Sequence, residues 1–335
     1  MIPTRFESLH DLARLPFFEV RDDRLVLADP SLGPAIDLHT HLALTYLVPP
    51  RVDLQALHPE TEHYLPKHRS IDLEVYINRN FQPEDLERLT RDLTTGSLGT
   101  GGMRRTHTIA NLGREMRELG IRRSVLLPID FPVLSDNAGH WLEQSRGHDD
   151  MLCFGSVHPY RPGMRKNLER QVKLGARGIK VHPAVQMVRP DDARAMKLYR
   201  LCGEKRLPVL FHCGPVDIET RLGRYLSQVR LYERAIAECP ETTFLLGHSG
   251  ALQMPEALAF ARKYPNVVLE LSSQSLSSVR RILAEAPPER IVFGSDWPFY
   301  HQAIGLAKVF LATDDAAERG RVLWGNAARL FGIEG

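Results

Sequence analysis

ARGIKVHPAVQMVRPDDARAMKLYRLCGEKRLPVLFHCG, residues 176–214, reads as one strand–helix–strand unit. The apolar runs at 176–183 and 207–214 are short enough for buried strands, and DDARAMKLYRLCGEK (191–205) between them is helical in pattern. Strands joined through a helix pair in parallel, since antiparallel neighbours need only a tight turn. Working outward, the same kind of run recurs at AIDLHTHL (35–42), RRSVLLPID (122–130) and LCFGSVHP (152–159). It continues at TTFLLGHSG (242–250), NVVLELSS (266–273) and RIVFGSDWP (290–298), while RKNLERQVKLG (165–175) is a further helix between strands. Eight strands close a parallel barrel, so the predicted fold is α/β, a (β/α)8 TIM barrel forming a single domain over residues 1–335. No glycine-rich dinucleotide turn follows a strand, which argues against an open doubly wound sheet.

One interruption breaks the rhythm. About 60 residues separate the first strand from the first helical segment near Arg104, far more than a usual βα loop. This insert, residues 43–103, carries HPETEHYLPKHRS, the helix start PEDLERL and the run GSLGTGG. Segments that follow a barrel strand emerge at the catalytic face, so the insert is expected to be a lid or specificity segment, or else an oligomerisation element. The bulk composition is that of an ordinary globular chain, with 43% hydrophobic and 25% charged residues. A net charge of +2 does not suggest a nucleic-acid or membrane-surface partner. Cys153, Cys202, Cys213 and Cys239 form no CxxC pair and fit a reduced compartment. With no signal-like start and no membrane-length apolar run, the expectation is a cytoplasmic protein with a small-molecule substrate, acting as a single chain or as a homo-oligomer.

The polar residues cluster where a barrel gathers them. Six of the 14 histidines, His39, His41, His158, His182, His212 and His248, fall at the carboxyl ends of predicted strands, which share one rim. In DLHTH, Asp37, His39 and His41 are two apart and so on one strand face; two such imidazoles bind one ion together, with Asp37 placed to orient one of them. FHCG and GHSG add His212 and His248, each two residues before a glycine that lets backbone approach a ligand. GSDWP adds Asp296, a carboxylate that completes a site for zinc or a similar divalent ion and accepts a proton from bound water. Lys180 in GIKVHP shares a face with Gly178 and His182, and burying its ammonium beside a cation is costly. Two readings of it stay open: a carbamate bridging two metals, or an ammonium paired with a substrate carboxylate or with Asp296. Arg104 and Arg105 are either partners for a substrate carboxylate or ordinary surface charge.

As an ordered set, DLHTH, GIKVHP, FHCG, GHSG, GSDWP and WGNAARLF resemble the amidohydrolase superfamily, from Asp37 to Phe331 with the insert outside. The similarity is strongest to the branch of aminocarboxymuconate-semialdehyde decarboxylase, hydroxybenzoate decarboxylases and sugar or dicarboxylate lactonases. The resemblance implies that His39, His41 and His212 bind metal and that Asp296 is both ligand and base. It makes His248 a second-metal ligand in binuclear members or an acid/base in mononuclear ones. GIKVHP is similar to the segment of dihydroorotase and urease whose lysine is carboxylated, and Asn326 would cap the last helix. The cofactor implied is one or two divalent ions, Zn2+ first, with Mn2+ or Fe2+ as alternatives. TatD-type nucleases and histidinol-phosphatase-like barrels share the histidine pair. The first differ in their strand-4 ligand and need a basic surface for DNA, and the second lack GSDWP. The expected reaction is hydrolysis of a lactone, amide or ester through a metal-bound hydroxide, with Asp296 as base and His248 and His182 polarising the carbonyl. The alternative is non-oxidative decarboxylation of an aromatic or enoic acid at the same site, with His248 or Asp296 protonating the carbon. A metal-binding protein without catalysis is a third reading, weakened by the intact base and polar rim.

Overall fold

The computed structural model describes residues 2–45, 52–131 and 135–334. Its centre is a ring of parallel strands: β1 (Ala35–Thr40), β2 (Ile121–Leu126), β3 (Met151–Cys153), β4 (Ile179–Val181), β5 (Val209–His212), β6 (Phe244–Gly247), β7 (Val267–Glu270) and β8 (Ile291–Val292). β1 to β3 form one hydrogen-bonded run and β4 to β8 another. Two seams close the ring. Gly155 bridges to Ile179 between β3 and β4, and Thr40 bridges to Trp297 between β1 and the end of β8. At the second seam Leu38 N donates to Phe293 O at 3.0 Å and Asp296 N to His39 O at 2.8 Å. The outer layer is α1 (Ile109–Glu118), α2 (Asn137–Gln144), α3 (Met164–Lys173), α4 (Ala193–Glu204), α5 (Glu233–Glu238), α6 (Met254–Lys263), α7 (Leu276–Glu285) and α8 (Gln302–Ala312). The eight-stranded barrel is therefore the one the apolar runs imply, though the ladders stop short of the polar strand ends.

Strand parity explains where the site lies. Leu210, Leu245, Val268 and Val292 join Ile36, Leu38, Val125 and Phe154 in an inner core, together with Ala327 and Phe331 of the C-terminal helix Asn326–Phe331. Their neighbours Phe211, Phe244, Leu246 and Leu269 belong to the larger core shared with the helices. Two residues beyond the inner apolar set the same parity reaches His212 and Glu270, and two steps beyond Val292 it reaches Asp296. β1 breaks this rule. Its pairing with β2 shifts register between Asp37 and Thr40, so Asp37 does not share the direction of His39 and His41. Asp37 instead accepts from Ser295 N at 2.9 Å, Ser295 Oγ at 2.5 Å and Gln302 Nε2 at 2.6 Å, and burial raises its carboxyl to about 6. It braces β8 against α8 and orients no imidazole.

Other expectations shift as well. Asn326 does not cap the last helix; its Nδ2 donates to Pro288 O and Ile291 O, both at 2.7 Å, tying that helix to the start of β8. The first barrel helix begins at Ile109, behind a Thr108 cap, rather than near Arg104. Arg104 is buried, and its guanidinium donates to Leu44 O at 3.0 Å, Gly96 O at 2.9 Å and Gly99 O. It is neither surface charge nor a substrate ligand but a clamp on the GSLGTGG run, while Arg105 pairs with Glu62 at 3.3 Å. Within the insert, Ile71–Asp72 pairs antiparallel with Arg5–Phe6, and PEDLERL opens a helix over Pro83–Leu93 with a Gln82/Asp85 capping box. Residues 46–51 of the insert lie outside the described residues. No helix among the described residues is long and apolar enough to cross a membrane.

Candidate metal centre

His39 and His41 reach the barrel mouth with their tautomers already chosen. His41 Nδ1 lies 2.7 Å from Leu127 O, a carbonyl that only accepts, so Nδ1 carries the proton and Nε2 the lone pair. His39 Nδ1 lies 2.7 Å from Glu270 Oε2, which frees its Nε2 in the same way. The two Nε2 atoms stand 3.6 and 3.5 Å from one oxygen, Asp296 Oδ1. Three buried acceptors thus converge within 4.8 Å of one another. Acceptors do not satisfy each other, and two imidazoles with a carboxylate are the donor set a divalent ion takes, so these residues fit a metal. Lys180 Nζ is 3.1 Å from His39 Nε2, and burial lowers its amine to about 8 against the opposing pull of Asp296 and Glu270.

A second group, His39, His248 and Glu270, also lies within ligand range. Glu270 is committed elsewhere, however. Its Oε2 accepts from His39 Nδ1, His248 N at 3.0 Å and Ser272 Oγ at 2.8 Å, and its Oε1 accepts from Ser272 N at 2.6 Å. It holds ligands in place, the task expected of Asp37. Burial nevertheless raises its carboxyl to about 7.

His248 Nε2 lies 3.1 Å from His212 Nδ1, and its Nδ1 lies 2.8 Å from Ser272 Oγ. His182 stacks on His212 with ring centroids 4.0 Å apart. Its Nδ1 accepts from Val185 N at 3.3 Å, so in the neutral ring Nε2 carries the proton. Burial, reinforced by neighbouring positive groups, pushes His182 and His248 well below the usual imidazole value and His212 to about 3, so all three are neutral. His158 is elsewhere: Gln186 O and Tyr160 N occupy its two ring nitrogens, at 2.9 and 3.1 Å, and it stabilises the loop after β3.

Above this floor opens a cavity of about 350 Å³, lined below by His41, His182, His212, His248 and Asp296. Sequence reading passes over Glu270, Ser272 and Gln274. The signal for Glu270 is present in VVLE, a glutamate two residues after inward Val268 at the end of an apolar strand. Ser272 and Gln274 carry no local sign.

The chain matches the amidohydrolase family model over residues 36–333. No functionally curated protein matches it at the sequence level. Among solved structures it is similar to an uncharacterized TIM-barrel protein of Bordetella bronchiseptica, at 18% identity over 90% of this chain and 99% of that one, with a TM-score of 0.62. A dihydroxybenzoic acid decarboxylase from Polaromonas sp. JS666, with bound manganese and the inhibitor 2-nitroresorcinol, gives 16%, 90%, 97% and 0.59. A probable 2-pyrone-4,6-dicarboxylic acid hydrolase from Acinetobacter baumannii, with citric acid bound, gives 13%, 89%, 99% and 0.56. These likenesses speak for the barrel, and the family model spans nearly all of it, including every histidine and carboxylate of the site. The chain belongs to the amidohydrolase family.

Proposed function

We propose that the protein is a metal-dependent hydrolase of a small carbonyl substrate, a lactone, amide or ester. The observation that carries this reading is the meeting of His39 Nε2, His41 Nε2 and Asp296 Oδ1 at the floor of a cavity, with Lys180 Nζ alongside. In this reading His39, His41, His212, His248, Asp296 and a carboxylated Lys180 hold one or two ions, zinc first, with manganese or iron accepted by the same donors. An ammonium 3.1 Å from His39 Nε2 would repel the ion; attack of the neutral amine on CO2, with loss of a proton, replaces that charge by an anionic carbamate. A bound ion supplies Lewis-acid polarisation of the carbonyl and acidifies water. Asp296 accepts the proton of the attacking water and returns it to the leaving group. His182 Nε2–H donates to the carbonyl oxygen as negative charge develops, and His248, held by Ser272, faces the same space.

The second reading, decarboxylation of an aromatic or enoic acid, draws support from the similar manganese-bound decarboxylase. There His248 or Asp296 would protonate the carbon as CO2 departs. Metal analysis and a substrate panel test both. Purified protein is expected to hold roughly one to two divalent ions per chain, and the His39→Ala/His41→Ala variant to lose most of the metal and all turnover. Lys180→Ala should lose one ion of a pair and regain it in part with a short added carboxylate. Full metal in the double variant sinks the site, and wild-type stoichiometry in Lys180→Ala sinks the carbamate. CO2 release from hydroxybenzoates without any lactone, amide or ester cleavage would select the lyase.

A further inference from the structure

We infer that the part of the substrate that does not react is apolar and uncharged, and that the insert helix Pro83–Leu93 and the segment after β5 recognise it; this rests on the reading of the floor as the reaction site. The walls above the floor are Leu89 and Leu93 of that helix, Val216 and Ile218 after β5, Ile129 after β2 and Phe299 after β8. The helix is a fixed wall. Arg69 holds Asp85 at its start through contacts of 2.8 and 3.1 Å. Near its end Asp92 accepts from Tyr64 Oη at 2.8 Å and Met103 N at 3.0 Å. The insert therefore enters the site as a specificity segment.

Charge points the same way. Among the described residues lining the cavity there is no lysine or arginine, and the charged ones are Asp296 on the floor and Glu219 on the wall. The Glu219 side chain is 9% exposed, with Val216 N on Oε2 at 3.1 Å and Arg224 Nε 3.5 Å from Oε1. Asn78 and Tyr300, also in the wall, are spent on each other, and Asn78 Nδ2 on Val216 O at 2.8 Å. A carboxylate on the substrate tail would leave water for a wall of apolar side chains and the neutral hydroxyls of Tyr76, Thr90, Thr94 and Thr220, and would face Glu219 with no described cation in the lining to pair with. A cavity of about 350 Å³ admits a benzene-sized ring, which needs about 150 Å³, with a short chain attached.

The test uses the full chain loaded with zinc. Alkyl hydroxamates of four to eight carbons, which chelate the ion without needing turnover, are compared by calorimetry with hydroxamates of equal length ending in a carboxylate. Each added methylene is expected to tighten binding by up to about fourfold until the cavity is full. The terminal carboxylate should weaken binding at least about 30-fold, the loss expected of an unpaired charge. Leu93→Arg and Ile218→Arg, both at partly exposed positions, should each restore at least about tenfold of that loss. Carboxylated ligands that bind as tightly as neutral ones overturn the inference, as do arginine variants that leave the preference untouched. Binding of neither series overturns it together with the metal site. The same protein is assayed on alkyl γ-lactones and on alkyl esters and amides: neutral preference in binding with none of the three cleaved keeps this inference and rejects the hydrolase reading.

Discussion

His39 can hold a metal in only one tautomer, and Glu270 selects it. With Nδ1–H pointing at Glu270 Oε2, 2.7 Å away, the lone pair on Nε2 is left for the cavity. Glu270 reaches that position only because residue 294 is glycine, since a Cβ there would overlap Glu270 Oε1 and crowd the His39 Cβ. Burial works against the charged carboxylate, and hydrogen bonds from His248 N and Ser272 N support it. Glu270→Gln keeps the size but removes the charge and makes either tautomer of His39 acceptable. Metal affinity, read by chelator competition, is expected to fall about 10- to 100-fold while the fold, read by circular dichroism, stays intact. Unchanged affinity would remove Glu270 from the site. The histidines and Asp296 are visible in the sequence because their motifs are short. Glu270 is harder to see because its meaning depends on a ring 231 residues away.

The element that presents His248 is the turn leaving β6. His248, Ser249, Gly250 and Ala251 all have positive φ, at 57°, 44°, 82° and 48°. Three of the four carry a Cβ, and each such residue costs on the order of 1–3 kcal/mol unless surroundings hold it there. Gln274 is the main restraint: its Nε2 donates to His248 O at 2.6 Å and Ala251 O at 2.9 Å, while Ser249 Oγ donates to Glu270 O at 2.8 Å. Gln274→Leu would remove both of these side-chain hydrogen bonds, a loss of about 0.5–1.5 kcal/mol for each. The expected outcome is faster hydrogen exchange over residues 248–252 and a lower kcat with little change in KM, because His248 is misplaced while the apolar walls remain. Exchange at the wild-type rate would show that the turn holds itself. GHSG announces close backbone approach through its glycine, yet nothing local announces four left-handed residues in succession.

At the scale of the whole molecule, the buried lysine of α8 links this turn to global stability. Lys308 Nζ donates to Gln274 O at 2.6 Å, and burial lowers its pKa from 10.5 to about 7. Between pH 7 and 9 the unfolded chain therefore keeps a proton that the folded chain has released, so this lysine destabilises most at the acidic end and less as pH rises. Lys308→Met removes that linkage. The stability of the variant relative to wild type, from urea melts, should decline by about 1.4 kcal/mol per pH unit over this window. A difference that does not vary with pH would mean the ammonium stays charged in the fold. Local pattern is enough for the eight-stranded barrel and for bringing His39, His41, His212, His248 and Asp296 to one rim, because apolar period, glycine punctuation and strand ends are written in neighbouring residues. Lys180 stands out by its apolar setting in GIKVHP, but that setting does not write its chemical state. The register shift that turns Asp37 away, the bracket formed by Glu270, the burial of Arg104 and the apolar wall from Leu89 and Leu93 emerge only when the ring closes. Each depends on contacts between segments far apart in the chain, and side-chain direction, tautomer and desolvation are properties of those contacts rather than of any one segment.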